Sequence, residues 1–399
     1  MLIHRIIAKQ LLDAAQKYPV ITLTGPRQSG KTTLCRHVFK DYVYISLEDP
    51  DNAQMAKEDP RGFLGMHTGN VILDEVQRVP HLFSYIQTLA DAEDRPGRFV
   101  LTGSHNFLLM EKITQSLAGR CAIFHLLPFS RAELMLDTPL DIETLGRNVK
   151  ITDHPVQMDL YDMMFRGFYP RIYDKDLNPQ EWLHDYLHSY IERDVRLISN
   201  IGSVDEFERF MGLCAGRSGQ ILNISSLAAD CGISQITAKK WISILESSFI
   251  IKLLRPHFQN FNKRLIKSPK LYFNDTGLLC YLLRIRSVEE LKTHGMRGMI
   301  FETWVVGEFI KNYFNRRLEP DIYYWRDSNA NEVDLIVSLG NKLVPVAIKS
   351  GQTFNSDMLK ELVFWRNLTN CPDHPGVLIY GGAKPLRFKG LEILPWYMC

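Results

Sequence analysis

The chain has 399 residues, which at roughly 150 residues per domain predicts two or three domains. Its 45% hydrophobic and 23% charged residues are typical of a globular protein, and no apolar run approaches the roughly 20 residues that cross a bilayer. The net charge of +2 excludes a strongly basic or acidic protein, so any basic surface must be local. We expect a cytoplasmic protein with no membrane partner, because the N-terminus lacks the layout of a secretory signal and the 7 scattered cysteines form no C-x-x-C pair.

The first motif that indicates chemistry is the glycine-rich stretch at residues 25–32. An apolar run at 20–24 precedes it and a helix-like segment at 31–40 follows it, so it fits the phosphate-binding pattern G-x-x-x-x-G-K-[ST] in its strand–loop–helix setting. The glycines let backbone N–H groups point at one anion, and the helix N-terminus adds partial positive charge. We expect Lys31 to reach the β- and γ-phosphates of ATP and the Thr32 hydroxyl to bind Mg²⁺. The alternative is a turn that fits the pattern by chance. The predicted nucleotide-binding residues are Gly25, Pro26, Arg27, Gln28, Ser29, Gly30, Lys31, Thr32 and Thr33.

Two acids end a later predicted strand. After a strand at 42–47 and a polar helical segment, residues 70–73 form a short, mostly apolar run of the kind seen in buried parallel strands, and Asp74 and Glu75 follow it. In a phosphate-loop enzyme such acids lie beside the loop. We therefore expect Asp74 to hold Mg²⁺ through its water shell and Glu75 to orient or deprotonate the attacking water.

Two further residues are candidates for the same chemistry. A strand at 98–104 ends in Ser104, which we expect to contact the γ-phosphate or the attacking water, the alternative being a strand end with a turn. Arg120 precedes the next strand, at 122–127, and is a candidate arginine finger that stabilises charge on the transferred phosphoryl group. The alternative for Arg120 is a solvated or salt-bridged arginine.

Strands and helices alternate over residues 1–150, which predicts a parallel α/β sheet covered on both faces. Here the sequence resembles the AAA-type ATPases and, more closely, a widespread prokaryotic, STAND-like family in which such an ATPase domain precedes a C-terminal domain of unknown function. The resemblance covers nearly the whole chain and implies ATP and Mg²⁺ as ligands. The segments that carry it are Gly25 to Thr32, Ser46-Leu47-Glu48-Asp49, Leu73-Asp74-Glu75-Val76-Gln77, Leu101-Thr102-Gly103-Ser104, Leu117-Ala118-Gly119-Arg120, Gly167-Phe168-Tyr169-Pro170 and Tyr190-Ile191-Glu192-Arg193-Asp194-Val195.

The middle of the chain is predicted to hold a helical lid or linker at 151–220 and a winged-helix domain at 221–295. In the latter, a short helix at 227–232 ends in glycine, Ser234 caps a second helix at 235–247, and strands follow at 249–254 and 271–274. We assign Ile236 to the apolar side of the second helix, together with Trp241. Polar residues of this helix would enter the major groove of duplex or branched DNA, and basic residues between the strands would bind phosphates. The alternatives are a structural lid, a protein-contact module or a solvated loop. The predicted DNA contacts are Lys239, Lys240, Lys263, Arg264 and Lys267.

Residues 296–399 are predicted to follow the core order of restriction-endonuclease-like folds, namely a helix, three strands, a helix and a strand. The chemistry of such folds needs carboxylates that converge on a divalent metal and a lysine near the attacking water. Asp334 fits the first acid, Lys349 fits the lysine, and Glu302 matches an extra acid of some members. Ala347, however, stands where the second strand acid belongs, and a hard cation needs oxygen ligands. We therefore predict a nuclease-like but degenerate domain, with a buried Asp334–Lys349 ion pair as the alternative.

Three functions remain open from the sequence. The first is an ATP-hydrolysing switch or motor that engages DNA or a partner, in which Arg120 acts across a subunit boundary of a homo-oligomer. The second is an ATP-dependent, metal-requiring DNA nuclease. The third is a regulatory ATP-binding protein without DNA chemistry.

Overall fold

The computed structural model describes residues 3–104, 116–147, 158–191, 204–257 and 268–399. Three of the predicted DNA contacts, Lys263, Arg264 and Lys267, lie outside these residues. No helix among the described residues is both long and apolar enough to span a membrane.

The N-terminal region is built on a five-stranded sheet in the order β2-β3-β4-β1-β5, and all of its strand pairs are parallel. Alternate residues of the first strand pack into two different hydrophobic clusters, Val20 on one face and Ile21 and Leu23 on the other. Both faces are therefore covered, which confirms the predicted α/β class. The strands are β1 (Val20–Thr24), β2 (Val43–Ser46), β3 (Val71–Asp74), β4 (Phe99–Gly103) and β5 (Cys121–His125), and the helices are α1 (Ala8–Ala15), α2 (Lys31–Val38), α3 (Pro50–Glu58), α4 (Pro60–Gly65), α5 (Leu82–Glu93) and α6 (Arg131–Met135).

The middle region is mostly helical. Two of its helices form the expected helix–turn–helix, since Gly232 ends the first in the left-handed region at φ 78° and the Ser234 side chain caps the second by accepting from the Thr237 N–H. The two strands expected after this unit are present and antiparallel, and a third, unexpected strand lies beside them in the order β6-β8-β7. The helices are α7 (Leu160–Arg166), α8 (Pro170–Asp174), α9 (Pro179–Tyr190), α10 (Val204–Ala215), α11 (Ile224–Cys231), α12 (Gln235–Ser247), α13 (Thr276–Leu282) and α14 (Val288–Thr293), and the strands are β6 (Gln220–Ile221), β7 (Ile251–Leu254) and β8 (Lys270–Phe273).

The C-terminal region has one long buried helix and a mixed six-stranded sheet in the order β13-β14-β12-β11-β10-β9. Strand β10 is antiparallel to both of its neighbours, β9 and β11, whereas β11, β12 and β14 are mutually parallel. The predicted order of helix, three strands, helix and strand is found, followed by two strands that the sequence pattern did not predict. The elements are α15 (Arg297–Asn315), β9 (Ile322–Arg326), β10 (Glu332–Leu339), β11 (Lys342–Lys349), α16 (Lys360–Leu368), β12 (Val377–Tyr380), β13 (Leu386–Phe388) and β14 (Leu391–Pro395).

The middle and C-terminal regions share their core. A single hydrophobic cluster extends from Leu127 to Cys399 and includes side chains of α7, α12, β8, α15 and β11. The N-terminal sheet has two smaller clusters of its own. The predicted boundaries at 220 and 295 therefore remain predictions, because packing is continuous across them.

Candidate nucleotide site and C-terminal acidic cluster

The glycine-rich loop joins the end of β1 to the start of α2. Gly25 has φ 153°, and a Cβ at this position would lie 2.1 Å from the carbonyl oxygen of Leu126, so only glycine fits there. Gly30, at φ 93°, is the last residue before α2 and also lies in the region that glycine favours. The Lys31 side chain is buried, and its ammonium donates to the carbonyl oxygens of Gly25, at 3.0 Å, and Pro26, at 2.7 Å. The Lys31 ammonium is thus hydrogen-bonded to the backbone of the loop that precedes it.

Asp74, at the carboxyl end of β3, lies directly against the loop. Its Oδ2 accepts from the Thr32 hydroxyl at 2.9 Å and from the Tyr44 hydroxyl at 2.7 Å, and its Oδ1 accepts from the Thr102 hydroxyl. Burial, and then the Asp74 carboxylate, raise the pKa of Tyr44 to about 12. The two predicted Mg²⁺ ligands are therefore hydrogen-bonded to each other, and both offer the oxygen atoms that Mg²⁺ prefers.

Glu75 leaves the strand in a left-handed conformation, at φ 55°. Its Oε2 accepts from the Ser104 hydroxyl at 3.1 Å and from the Gln77 side-chain amide. Ser104 therefore contacts the predicted catalytic base. Glu75 and Ser104 are neighbours because the parallel strands β3 and β4 have their carboxyl ends on the same side of the sheet. Their hydrogen bond helps to fix the position of the Glu75 carboxylate.

A cavity of about 750 Å³ opens at this edge, within the size range of small-molecule sites. Of the predicted site residues, Arg27, Gln28, Gly30, Lys31, Thr32, Thr33, Asp74 and Glu75 line it. Residues that sequence analysis did not predict also line it, notably Arg5, Phe129, Arg171 and Tyr173. Arg171 directly follows the stretch Gly167-Phe168-Tyr169-Pro170, which carried part of the family resemblance. Extending that stretch by one residue would have included Arg171 among the candidate site residues.

Arg5 is the buried cation behind the loop. Its guanidinium donates to the Ser29 carbonyl at 3.0 Å, to the Leu127 carbonyl at 2.6 Å and to the Glu133 carboxylate at 3.0 Å. It also lies over the Phe129 ring, 4.8 Å from the centroid. Arg5 thereby ties the phosphate loop to the segment that follows β5. No sequence motif marks it, because its partners are up to 128 positions away in the chain.

Arg120 lies near the amino ends of the parallel strands, whereas the loop lies at their carboxyl ends. It immediately precedes β5, whose first residue pairs with Val20 at the start of β1, whereas the loop follows the end of β1, about 13 Å away. Its guanidinium pairs with Asp91 of α5, and Arg120 is not among the cavity-lining residues. The structure does not bring Arg120 to the loop of its own chain, so its action across a subunit boundary stays a prediction.

The helix–turn–helix presents the N-terminal half of α12 to solvent. Lys239 and Lys240 are exposed, as predicted. Ile236 is 82% exposed, so its assignment to the apolar side of the helix was wrong. The buried positions are Ala238, Trp241, Ile242, Ile244 and Leu245, and all but Ile244 follow the i, i+3, i+4, i+7 pattern. Ile236 lies about 200° around the helix from Ala238.

The C-terminal candidates belong to a cluster of ion pairs. Lys349 bonds the Asp334 carboxylate at 3.0 Å and also the carboxylate of Glu361, on α16. Ala347 packs in an apolar cluster with side chains of α16. Glu361 of α16 thus brings a carboxylate to Lys349 while position 347 of β11 carries none, and the degenerate nuclease site stays a prediction. Burial, and then Asp334, raise the pKa of Glu361 to about 8.

Glu302, the remaining nuclease candidate, is bonded to β8. Its carboxylate accepts from the Lys270 ammonium at 3.1 Å and from the Tyr272 hydroxyl at 2.6 Å. Lys270 also pairs with Glu332 of β10. Within the described ranges, no group of three or more His, Cys, Asp or Glu side chains is arranged to hold a metal ion.

Comparisons with known proteins agree with the N-terminal fold. Residues 17–135 match the family described as AAA domain, residues 157–289 a domain of unknown function (DUF8612) and residues 297–399 a domain of unknown function (DUF4143). Among solved structures, the Walker-type ATPase PABY2304 of Pyrococcus abyssi is 14% identical, covering 70% of this chain and 95% of its own, with a TM-score of 0.40. The RuvB Holliday junction branch migration motor of Thermotoga maritima is 19% identical, covering 62% and 88%, with a TM-score of 0.27. At these TM-scores the likeness carries no argument about function.

Two curated relatives match most of the chain. They are the uncharacterized proteins Rv2008c of Mycobacterium tuberculosis and Mb2031c of Mycobacterium bovis, each 30% identical over 355 residues, which are 88% of this chain and 74% of the relative. The chain belongs to the family of these mycobacterial proteins, with an AAA-type domain over residues 17–135 and a C-terminal domain of unknown function over residues 297–399.

Proposed function

We propose that this chain binds ATP with Mg²⁺ in the cavity beside the glycine-rich loop and hydrolyses it. The observation that carries the proposal is the 2.9 Å bond between the Thr32 hydroxyl and the Asp74 carboxylate, next to the loop and beside Glu75. These are groups that phosphoryl transfer to water uses, and they come from two segments of the chain that are distant in sequence.

The chain's own residues supply binding and proton transfer. The loop N–H groups and the N-terminus of α2 face the phosphates, and Lys31 exchanges its two loop carbonyls for β- and γ-phosphate oxygens. Thr32 and Asp74 would hold Mg²⁺, which when bound neutralises developing charge on the phosphates. Glu75 orients a water and takes its proton as the water oxygen bonds to the γ-phosphorus and the bond to ADP breaks.

The test is nucleotide binding and phosphate release by purified variants. Lys31→Ala should abolish binding of a fluorescent ATP analogue, whereas Glu75→Gln should bind ATP but release phosphate roughly 10²–10⁴-fold more slowly. Lys40→Ala and Glu58→Gln are the matched controls, because both residues are exposed and lie outside the cavity lining. Wild-type turnover by Glu75→Gln would overturn the assignment of the base.

We further propose that the ATPase cycle acts on duplex DNA through the exposed start of α12. The observation that favours DNA is that Gln235, Ile236, Lys239 and Lys240 all lie on the solvent side of a helix–turn–helix. Lysines there would bind phosphates, and Ile236 offers an apolar contact of the kind that thymine methyl groups accept.

Salt-dependent binding distinguishes this proposal from a protein-contact role. Removing both lysines in Lys239→Ala/Lys240→Ala should reduce the slope of log K against log salt by about 2, since each phosphate contact contributes about 0.9. The control Lys40→Ala/Lys57→Ala removes two exposed lysines of the N-terminal region. DNA binding with an unchanged slope, or no DNA binding by the wild type, would contradict the proposal. The nuclease alternative gains no support from the C-terminal cluster, in which lysines already occupy the carboxylates.

A further inference from the structure

A lysine ammonium lies at the centre of the C-terminal carboxylates. Lys270 of β8 is buried, with 2% of its side chain exposed, and its Nζ bonds Oε1 of Glu302 at 3.1 Å and Oε1 of Glu332. Asp334 lies close enough for its charge to act on the same ammonium. The two glutamate oxygens, from α15 and β10, therefore converge on one point, and a cation occupies that point.

The surroundings keep this ammonium charged. Burial alone would lower the pKa of Lys270, but the carboxylates of Glu302, Glu332 and Asp334 outweigh it and raise the pKa well above the ordinary value. The Tyr272 hydroxyl, two residues along the same strand, donates to the oxygen of Glu302 that Lys270 bonds. Buried carboxylates need such partners, because a buried charge left unpaired is strongly destabilising.

Convergent carboxylate oxygens are also what a hard divalent cation requires. The restriction-endonuclease-like order of the C-terminal elements implies such a cation, yet here the oxygens are held by the chain's own ammonium. Lys349 plays the equivalent part for Asp334 and Glu361. The donor set present thus fits an internal cation rather than a bound metal.

We propose that Lys270 is a built-in counter-ion that takes the place of a divalent cation between Glu302 and Glu332, and that it fastens β8 to α15 and β10. Removing its charge turns the cluster into a divalent-cation site that the wild-type chain lacks. Lys270, Glu302 and Glu332 do not line the nucleotide cavity, and the inference stands whether or not the chain hydrolyses ATP.

The direct test is Mn²⁺ binding by the nucleotide-free, full-length protein, followed by the loss of the free-Mn²⁺ electron paramagnetic resonance signal. Lys270→Ala should bind one additional Mn²⁺ at least tenfold more tightly than the wild type, and Lys270→Ala/Glu302→Gln should lose this gain. The matched control is Lys252→Ala, on the adjacent strand β7 and outside the cluster. A folded Lys270→Ala with no gain, or wild-type Mn²⁺ binding that Glu302→Gln abolishes, would overturn the proposal.

Lys270→Ala removes the ammonium from two largely buried acids, of which Glu332 keeps its 2.9 Å pair with Arg326. The variant is therefore expected to be less stable than the wild type, and a thermal cycle keeps the proposal testable if it does not fold. The variants are Lys270→Met, the double variant Glu302→Gln/Glu332→Gln, and the triple variant that combines them. If Lys270 is the counter-ion of both acids, the triple variant should melt at a higher temperature than either of the others, since the only partner charge it leaves is that of Arg326, which is partly exposed. Strictly additive losses in melting temperature would refute the pairing.

Discussion

Arg5 offers the sharpest test of how the nucleotide loop is held. Its side chain is 7% exposed and that of its partner Glu133 is 0% exposed, so their 3.0 Å ion pair lies fully inside the protein. The same guanidinium supports the Ser29 carbonyl of the loop and the Leu127 carbonyl beyond β5. Replacing Arg5 with methionine keeps much of the side-chain volume but removes every one of these bonds.

The expected loss in the free energy of unfolding depends on how the Glu133 carboxylate is compensated once Arg5 is gone. Removing one partner of a buried ion pair costs about 3–5 kcal/mol, because the other charge stays buried without compensation. Glu133 retains the N–H groups of Ile6 and Ser130 as donors, which favours the lower end, about 3 kcal/mol. The loss of the bond to Ser29 should in addition weaken ATP binding by about fivefold, since a net hydrogen bond contributes about 1 kcal/mol.

Urea unfolding and binding of a fluorescent ATP analogue measure the two effects. Arg78→Met is the matched control, because the Arg78–Glu48 pair is exposed, with 43% and 44% of the side chains accessible, and exposed pairs contribute only about 0–1 kcal/mol. Arg5→Lys separates charge from geometry, since lysine keeps the charge but not the planar fork. A free energy of unfolding for Arg5→Met within 1 kcal/mol of the wild type would refute the reasoning.

Two further predictions test the loop and the pH response. Gly25→Ala should abolish ATP binding measured by calorimetry, because its Cβ would meet the Leu126 carbonyl oxygen at 2.1 Å; binding like that of the wild type would contradict the loop geometry. Burial, and then the charge of Lys252, lower the pKa of His125 from 6.5 to about 4. Between pH 6.5 and pH 4 the unfolded chain therefore binds more protons at this position than the folded chain, so the folded state loses stability as the pH falls. From pH 7 to 5 this loss is about 2 kcal/mol, and His125→Phe, whose ring fits beside Phe249 and Phe314, should lose less stability over that range in urea titrations. Parallel pH profiles of variant and wild type would count against the buried neutral histidine.

The part of the site that sequence predicts best is the part that is contiguous in the chain. The loop at 25–32 is specified by the glycines and by the lysine and threonine that follow them, and the structure places all of them at one strand–helix junction. Asp74 could be assigned because parallel strands end at a common edge, so the distance of 42 positions to Thr32 is bridged by topology rather than by sequence proximity.

Residues that act through distant partners gave no such signal. Arg5, Lys270 and Glu361 are isolated charged residues in sequence, and their roles depend on packing between segments that no local pattern relates. The wrong assignment of Ile236 has another cause: Ile236 and Trp241 are separated by about 140° around α12, so helical spacing, applied strictly, places them on different faces.

The packing around Arg171 indicates how the nucleotide site is joined to the rest of the chain. Arg171 lines the cavity, and Phe168, just before it in the chain, lies outside the lining. The Phe168 N–H donates to the buried Asp275 at 2.7 Å, and its ring centroid lies 3.8 Å from the Lys311 ammonium of α15. Gly167 touches Gly277 so closely that a Cβ at Gly167 would lie 2.9 Å from the Gly277 Cα atom. A segment packed this tightly is not free to move alone. The Arg171 side chain is exposed and can reorient by itself, but a shift of the backbone at 167–168 would displace or repack the start of α13 and the α15 helix, because close-packed interiors transmit strain rather than absorb it.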